Sequence, residues 1–139
     1  MKKAVSVFFV TMVMLSCGQK IDQKDLPKIN GYWEIEKVLL PDGEKKEYKV
    51  NETIDYFMVK DDKGFREKVM PQLDGKYISN DLREDVVIVE KDGDFFINYS
   101  TRYAKWSEQI ITLSDKELVL KNKQDREYHY KKPIPFSVK

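Results

Sequence analysis

One cysteine and one histidine bound the chemistry open to this chain. Among its 139 residues only Cys17 carries a thiol and only His129 an imidazole. A lone cysteine excludes an intramolecular disulfide and any metal site built on several thiolates, and a lone histidine excludes a His-cluster site. His129 lies in Glu127-Tyr128-His129-Tyr130-Lys131, where strand alternation sets it beside Glu127 and Lys131, opposite the two tyrosines, at an exposed position. A catalytic imidazole needs an oriented partner, and the spacing identifies none. The carboxylate pairs Asp61-Asp62 and Glu84-Asp85 fall at turns or strand edges and read as solvated rather than as an acid–base pair. A glycine-rich phosphate cradle, a Walker sequence and a nucleophile elbow are all absent. The chain is therefore expected not to be an enzyme, and to hold neither a metal nor another cofactor. Its 25 Lys and Arg against 24 Asp and Glu leave a formal net charge of +1, so no nucleic-acid partner is expected either.

Cys17 has a different use. Lys2 and Lys3 precede an uncharged run from Ala4 to Leu15, too short to span a bilayer core but suited to a secretory signal. Leu15-Ser16-Cys17-Gly18 closes that run and resembles the bacterial lipobox. The resemblance implies that the thiol of Cys17 is diacylated and the peptide bond before it cut. The alternatives are an ordinary signal peptide with an incidental cysteine, or an uncleaved anchor. On the lipobox reading residues 1–16 are the signal peptide and 17–29 a lipidated N-terminus and polar tether. The membrane is then a partner through lipidated Cys17. Gly18 is not the Asp that retains some lipoproteins at the inner membrane, so the expected location is the bacterial cell envelope, with the outer membrane favoured over the inner.

The elements that must position any further site are short. Turn signals recur at Pro41-Asp42-Gly43, Asp61–Gly64, Asp74-Gly75, Lys91–Asp94, Ser114-Asp115 and Asn122–Asp125, with weaker breaks near Asn80-Asp81 and over 102–105. Between them lie candidate strands at 33–40, 53–60, 65–72, 76–79, 86–91, 95–101, 106–113, 117–121 and 127–131. Glu44-Lys45-Lys46-Glu47 reads as a soluble hairpin arm. No apolar stripe of helical period follows residue 30. The expected fold is all-β, an antiparallel up-and-down barrel of eight to nine strands over residues 30–132, with 133–139 as a C-terminal tail. Closure removes the edges that an open sheet would expose, with a sandwich as the rival. Lys and Glu on both faces of several strands exclude a lipid-facing band.

Gly31-Tyr32-Trp33 at the start of the first strand resembles the Gly-x-Trp signature of lipocalins and the wider calycin group, and Arg126 opens the last strand. The whole chain resembles the small lipocalin-like lipoproteins of bacterial envelopes. That resemblance implies a barrel floor made by Gly31, Trp33 and a basic residue packed across the indole, for which Arg126 is the candidate. Arg126-Glu127-Tyr128 also resembles the Arg-x-Tyr with which fatty-acid-binding members hold a carboxylate. The lipocalin Thr-Asp-Tyr loop motif is missing from the later strands. Tyr56, Tyr99, Tyr128 and Tyr130 are the candidate ligand-lining residues, or else they simply fill a small barrel.

Two functions follow as expectations. One is a lipid-anchored barrel that binds or carries a small apolar or amphipathic molecule. The other is an interaction module with a filled barrel, presenting loops or Phe96 to an envelope protein partner. A cavity of roughly 300 Å³ or more, lined by strand side chains, discriminates them.

Overall fold

A computed structural model describes residues 20–134. Cys17, the rest of the signal segment and most of the tail fall outside the described residues. Nine antiparallel strands follow a short N-terminal 3₁₀ helix, Gln23–Ile29: β1 Gly31–Leu39, β2 Lys45–Glu47, β3 Ile54–Lys60, β4 Lys63–Pro71, β5 Tyr77–Lys91, β6 Asp94–Ser100, β7 Lys105–Leu113, β8 Glu117–Lys121 and β9 Glu127–Lys131. Each of β3 to β9 pairs with its sequence neighbour, and β1 pairs with both β3 and β9. That last pairing closes eight strands into a barrel, which settles the fold against a sandwich; β2 is an extra strand on β1. Among the described residues no helix is long and apolar enough to cross a membrane.

The hairpins form where the turn residues tolerate left-handed backbone. Asp61 and Asp62 have φ of 52° and 64°, and Asp92 and Gly93 have 53° and 84°. Both pairs match the mirror-image two-residue turn whose twist suits a hairpin. Asn80-Asp81, by contrast, is not a break between strands. Asp81 does adopt φ of 60°, but its N–H is held by Ser79 Oγ at 3.0 Å, and β4 shifts register opposite it between Glu67 and Val69. The expected strands at 76–79 and 86–91 are thus one strand, because a local irregularity is absorbed without loss of pairing.

Alternation sorts the side chains. Trp33 and Ile35 of β1, Phe57 of β3, Val86 and Ile88 of β5, Phe95 and Ile97 of β6, Ile110 of β7, Leu118 and Leu120 of β8 and Tyr130 of β9 share one apolar cluster inside the barrel. Trp33, Phe57 and Ile97 are fully buried.

The 3₁₀ helix plugs the end of the barrel where β1 begins. Leu26 and Ile29 join the core cluster, and the Trp33 indole N–H donates to the Ile29 carbonyl at 2.7 Å. Asn30 clamps the helix to β3, its amide donating to the Val59 carbonyl at 3.0 Å while its Oδ1 accepts from Val59 N–H at 2.6 Å. The expected polar tether over 17–29 therefore needs correction. Two apolar residues among the polar ones, Leu26 and Ile29, are enough to seat residues 23–29 on the barrel.

Candidate functional site

Beyond the apolar floor the barrel interior turns polar, and cross-strand register explains how. Asp55 on β3 stands opposite Lys68 on β4, and Arg66 on β4 opposite Glu84 on β5. Lys68 forms an ion pair with Asp55. Arg66 Nε donates to Glu84 Oε2 at 2.5 Å, and its Nη1 reaches across the interior to Glu108 Oε1 on β7 at 3.7 Å. The Arg66 guanidinium also lies 4.3 Å from the centre of the Tyr99 ring, which stacks on Trp106 at 5.3 Å. Asp55 and Glu108 are both buried.

These neighbours decide protonation. Burial works against the Arg66 charge, but Tyr99, Glu84 and Asp55 outweigh it and raise its pKa, so it stays a cation. Burial raises the pKa of Glu108, with Tyr99 and Arg66 opposing. Burial also pushes the hydroxyls of Tyr99 and Tyr130 well above the usual phenol range. Both remain neutral hydroxyls.

Beside this polar belt lies a cavity of about 460 Å³. It exists because one wall of the barrel is incomplete. β1 pairs with β3 only over Gly31–Trp33 and with β2 only over Lys37–Leu39. Between these pairings the 48–53 loop spans the gap, latched by Asn51, whose amide donates to the Ile35 carbonyl at 3.0 Å and to Glu34 Oε1 at 3.1 Å. The cavity floor and walls are Trp33, Ile35, Val38, Tyr128 and Tyr130. Asp55 and Lys68 meet it from β3 and β4, and Tyr48, Val50 and Glu52 of the loop form its rim. A second groove of about 330 Å³ lies outside the barrel between Ile54, Pro71, Tyr77 and Pro133, and borders Ile134, the last described residue.

The four candidate tyrosines separate. Tyr128 and Tyr130 line the cavity. Tyr99 is interior but sealed between Arg66 and Trp106. Tyr56 needs correction: it is on the outer face, with its ring 4.8 Å from Tyr32, which stacks on Tyr77 at 3.9 Å. The phase of β3 is the reason, since Asp55 and Phe57 on either side of Tyr56 point inward.

The basic floor residue also needs correction. Arg126 is exposed and precedes β9. β9 runs antiparallel to β1, with Glu127 opposite Leu39 and Lys131 opposite Glu34. Arg126 thus stands at the far end of β1, and the residue that reaches Trp33 is Lys132, its Nζ 3.8 Å from the ring centre. Gly31, with φ of 115°, leaves room beside that ammonium, since a Cβ there would stand 3.4 Å from Lys132 Nζ. His129 does lie opposite Tyr128 and Tyr130, but it is shielded rather than exposed, with Glu127 at 3.5 Å. Sequence reading missed Asp55, Arg66, Lys68 and Lys132. The period-2 phase set by Phe57 and Val59 marks Asp55 as inward, and that of Tyr128 and Tyr130 marks Lys132 over Lys131, but Arg126 shares that phase.

Among the described residues no group of three or more His, Cys, Asp and Glu side chains is placed to hold a metal ion. What the arrangement offers is a half-apolar recess with two ion-pair networks at its side, each holding a buried carboxylate.

A solved structure and a family model agree with this architecture. A structure described as a lipocalin-like protein from Bacteroides uniformis superposes with a TM-score of 0.50 at 15% identity, covering 76% of this chain and 98% of that one. An uncharacterized protein from Bacteroides eggerthii gives a TM-score of 0.47 at 18% identity, covering 75% and 98%. No curated protein matches the chain. The family model for the lipocalin-like domain matches residues 29–120, from the end of the plug helix through β8. With that match across most of the closed barrel, the chain belongs to the lipocalin-like domain family.

Proposed function

We propose that this protein is a lipid-anchored component of the bacterial cell envelope whose barrel holds a small apolar or amphipathic molecule. The observation that carries the reading is the cavity of about 460 Å³ walled by Trp33, Ile35, Val38, Tyr128 and Tyr130. A recess of that size, part apolar and part polar, suits a small amphipathic molecule. Membership of a lipocalin-like family supports a binding role rather than a catalytic one.

The anchoring half of the proposal is supported by Leu15-Ser16-Cys17-Gly18 at the end of the apolar run. Only Gly18 to Asp22 separate Cys17 from the plug helix. Five residues span at most ~18 Å, so an acylated Cys17 would hold the plugged floor near the membrane and leave the cavity mouth facing away. That orientation suits exchange of a ligand with the aqueous phase or with another envelope protein. The outer membrane is the proposed location.

Native mass spectrometry of the protein purified from its own host tests the binding role. A retained mass of a few hundred daltons that is lost on denaturation is the expected result. Protein that carries no ligand and takes up no small amphiphile on incubation would overturn the reading and leave the filled interaction module.

A further inference from the structure

The charges around the cavity are not balanced. Its lining carries two carboxylates, Glu52 and Asp55, and one ammonium, Lys68. Lys68 is already paired with Asp55, and Arg66 is tied to Glu84 and Glu108 with Tyr99 against its guanidinium. A ligand carboxylate entering here meets no uncommitted cation among the described lining residues.

Asp55 is the unusual group. It is 3% exposed, and among the described residues Lys68 is its one ion-pair partner, the ammonium lying on Oδ1. An ionised carboxylate accepts up to about four hydrogen bonds, so Asp55 retains acceptor capacity at the cavity wall. Tyr48, Tyr128 and Tyr130 stand around the same space. Aromatic faces carry negative charge density and attract an ammonium, most strongly where water is excluded. The barrel already uses that interaction once, where Lys132 lies on Trp33.

We propose that the cavity is selective for a cationic amphiphile, a ligand that sets a protonated amine against Asp55 and the faces of Tyr48, Tyr128 and Tyr130, with its apolar body along Ile35 and Val38. This deepens the small-molecule reading above and rests on it. The amine supplies charge-assisted hydrogen bonds to Asp55, which a neutral alcohol replaces only weakly and a carboxylate opposes.

Three probes that share one chain and differ in head group decide the matter: hexylammonium, hexanol and hexanoate, titrated near pH 7 into the full chain by calorimetry. Hexylammonium is expected to bind at least roughly tenfold more tightly than hexanol, and hexanoate more weakly than either. Asp55→Asn should reduce hexylammonium to the affinity of hexanol and improve hexanoate by releasing Lys68. Tyr48→Leu, at an exposed rim position outside the core, should weaken hexylammonium roughly threefold and leave hexanol unchanged; it keeps the test decisive if Asp55→Asn does not fold. Equal affinities for the three probes, or a preference for hexanoate, would overturn the amine proposal while the cavity remains a binding site. No binding of any probe would overturn both.

Discussion

The ammonium of Lys132, just past the last strand, lies 3.8 Å from the centre of the Trp33 indole and closes the barrel floor. Burial lowers the Lys132 pKa, with Asp115 opposing, and the indole face adds an attraction for the charged form. Trp33→Ala should cost about 3–5 kcal/mol as a large-to-small core change, and Lys132→Ala about 0.5–2 kcal/mol. A double-mutant cycle followed by chemical denaturation should show coupling between them. Arg126→Ala should change stability by less than about 0.5 kcal/mol.

Gly64 begins the inward phase of β4, directly opposite Val59. A Cβ at this position would stand 1.8 Å from the Met58 carbonyl oxygen, which is backbone and cannot rotate away. Gly64→Ala should therefore destabilise by about 1–3 kcal/mol through displacement of the β3–β4 hairpin. Thermal unfolding measures the loss, and an unchanged Tm would show that the hairpin has slack.

Arg66 holds two acidic side chains that have little access to water, Glu84 at 22% and Glu108 at 8% exposure. Arg66→Ala leaves both without their cation, and breaking a buried pair by removing one partner costs about 3–5 kcal/mol. Urea denaturation should show a loss of that size. Arg66→Lys should recover only part of it, because an ammonium cannot reproduce the guanidinium fork that serves both carboxylates.

Glu108 sets a pH dependence. Its pKa is raised above the ordinary 4.5, first by burial. The folded state then binds the proton more tightly than the unfolded state, so stability from this group is complete below pH 4.5 and falls as pH rises through the folded pKa. Glu108→Gln removes that fall. The Tm difference, variant minus wild type, should become more favourable to the variant between pH 4.5 and pH 7, as circular dichroism melts would show.

Cys17→Ser should abolish acyl-probe labelling in cells and leave the barrel's thermal unfolding unchanged. Labelling equal to wild type would sink the lipoprotein proposal.

Much of this protein is written locally. Asp-Gly and Asp-Asp turns place the hairpins, and Tyr128 and Tyr130 alternating with Glu127, His129 and Lys131 set which face of β9 turns inward, because turn chemistry and strand period are properties of a few adjacent residues. Gly31-x-Trp33 likewise marked the floor and the family. Segment 23–29 misled because a polar composition concealed two apolar contacts whose partners lie on distant strands.

What the amino-acid order left open was register across closure. Arg126 and Lys132 are basic residues that flank the last strand, and only the antiparallel pairing of β9 with β1, Glu127 against Leu39, decides that Lys132 meets Trp33. Asp55, Arg66, Lys68, Glu84 and Glu108 read as surface charges until four strands bring them inside one barrel. The cavity itself comes from a gap in pairing along β1, a property that no single segment carries. Strand identity arises from neighbours in sequence, whereas the site arises from which strands meet and at what offset.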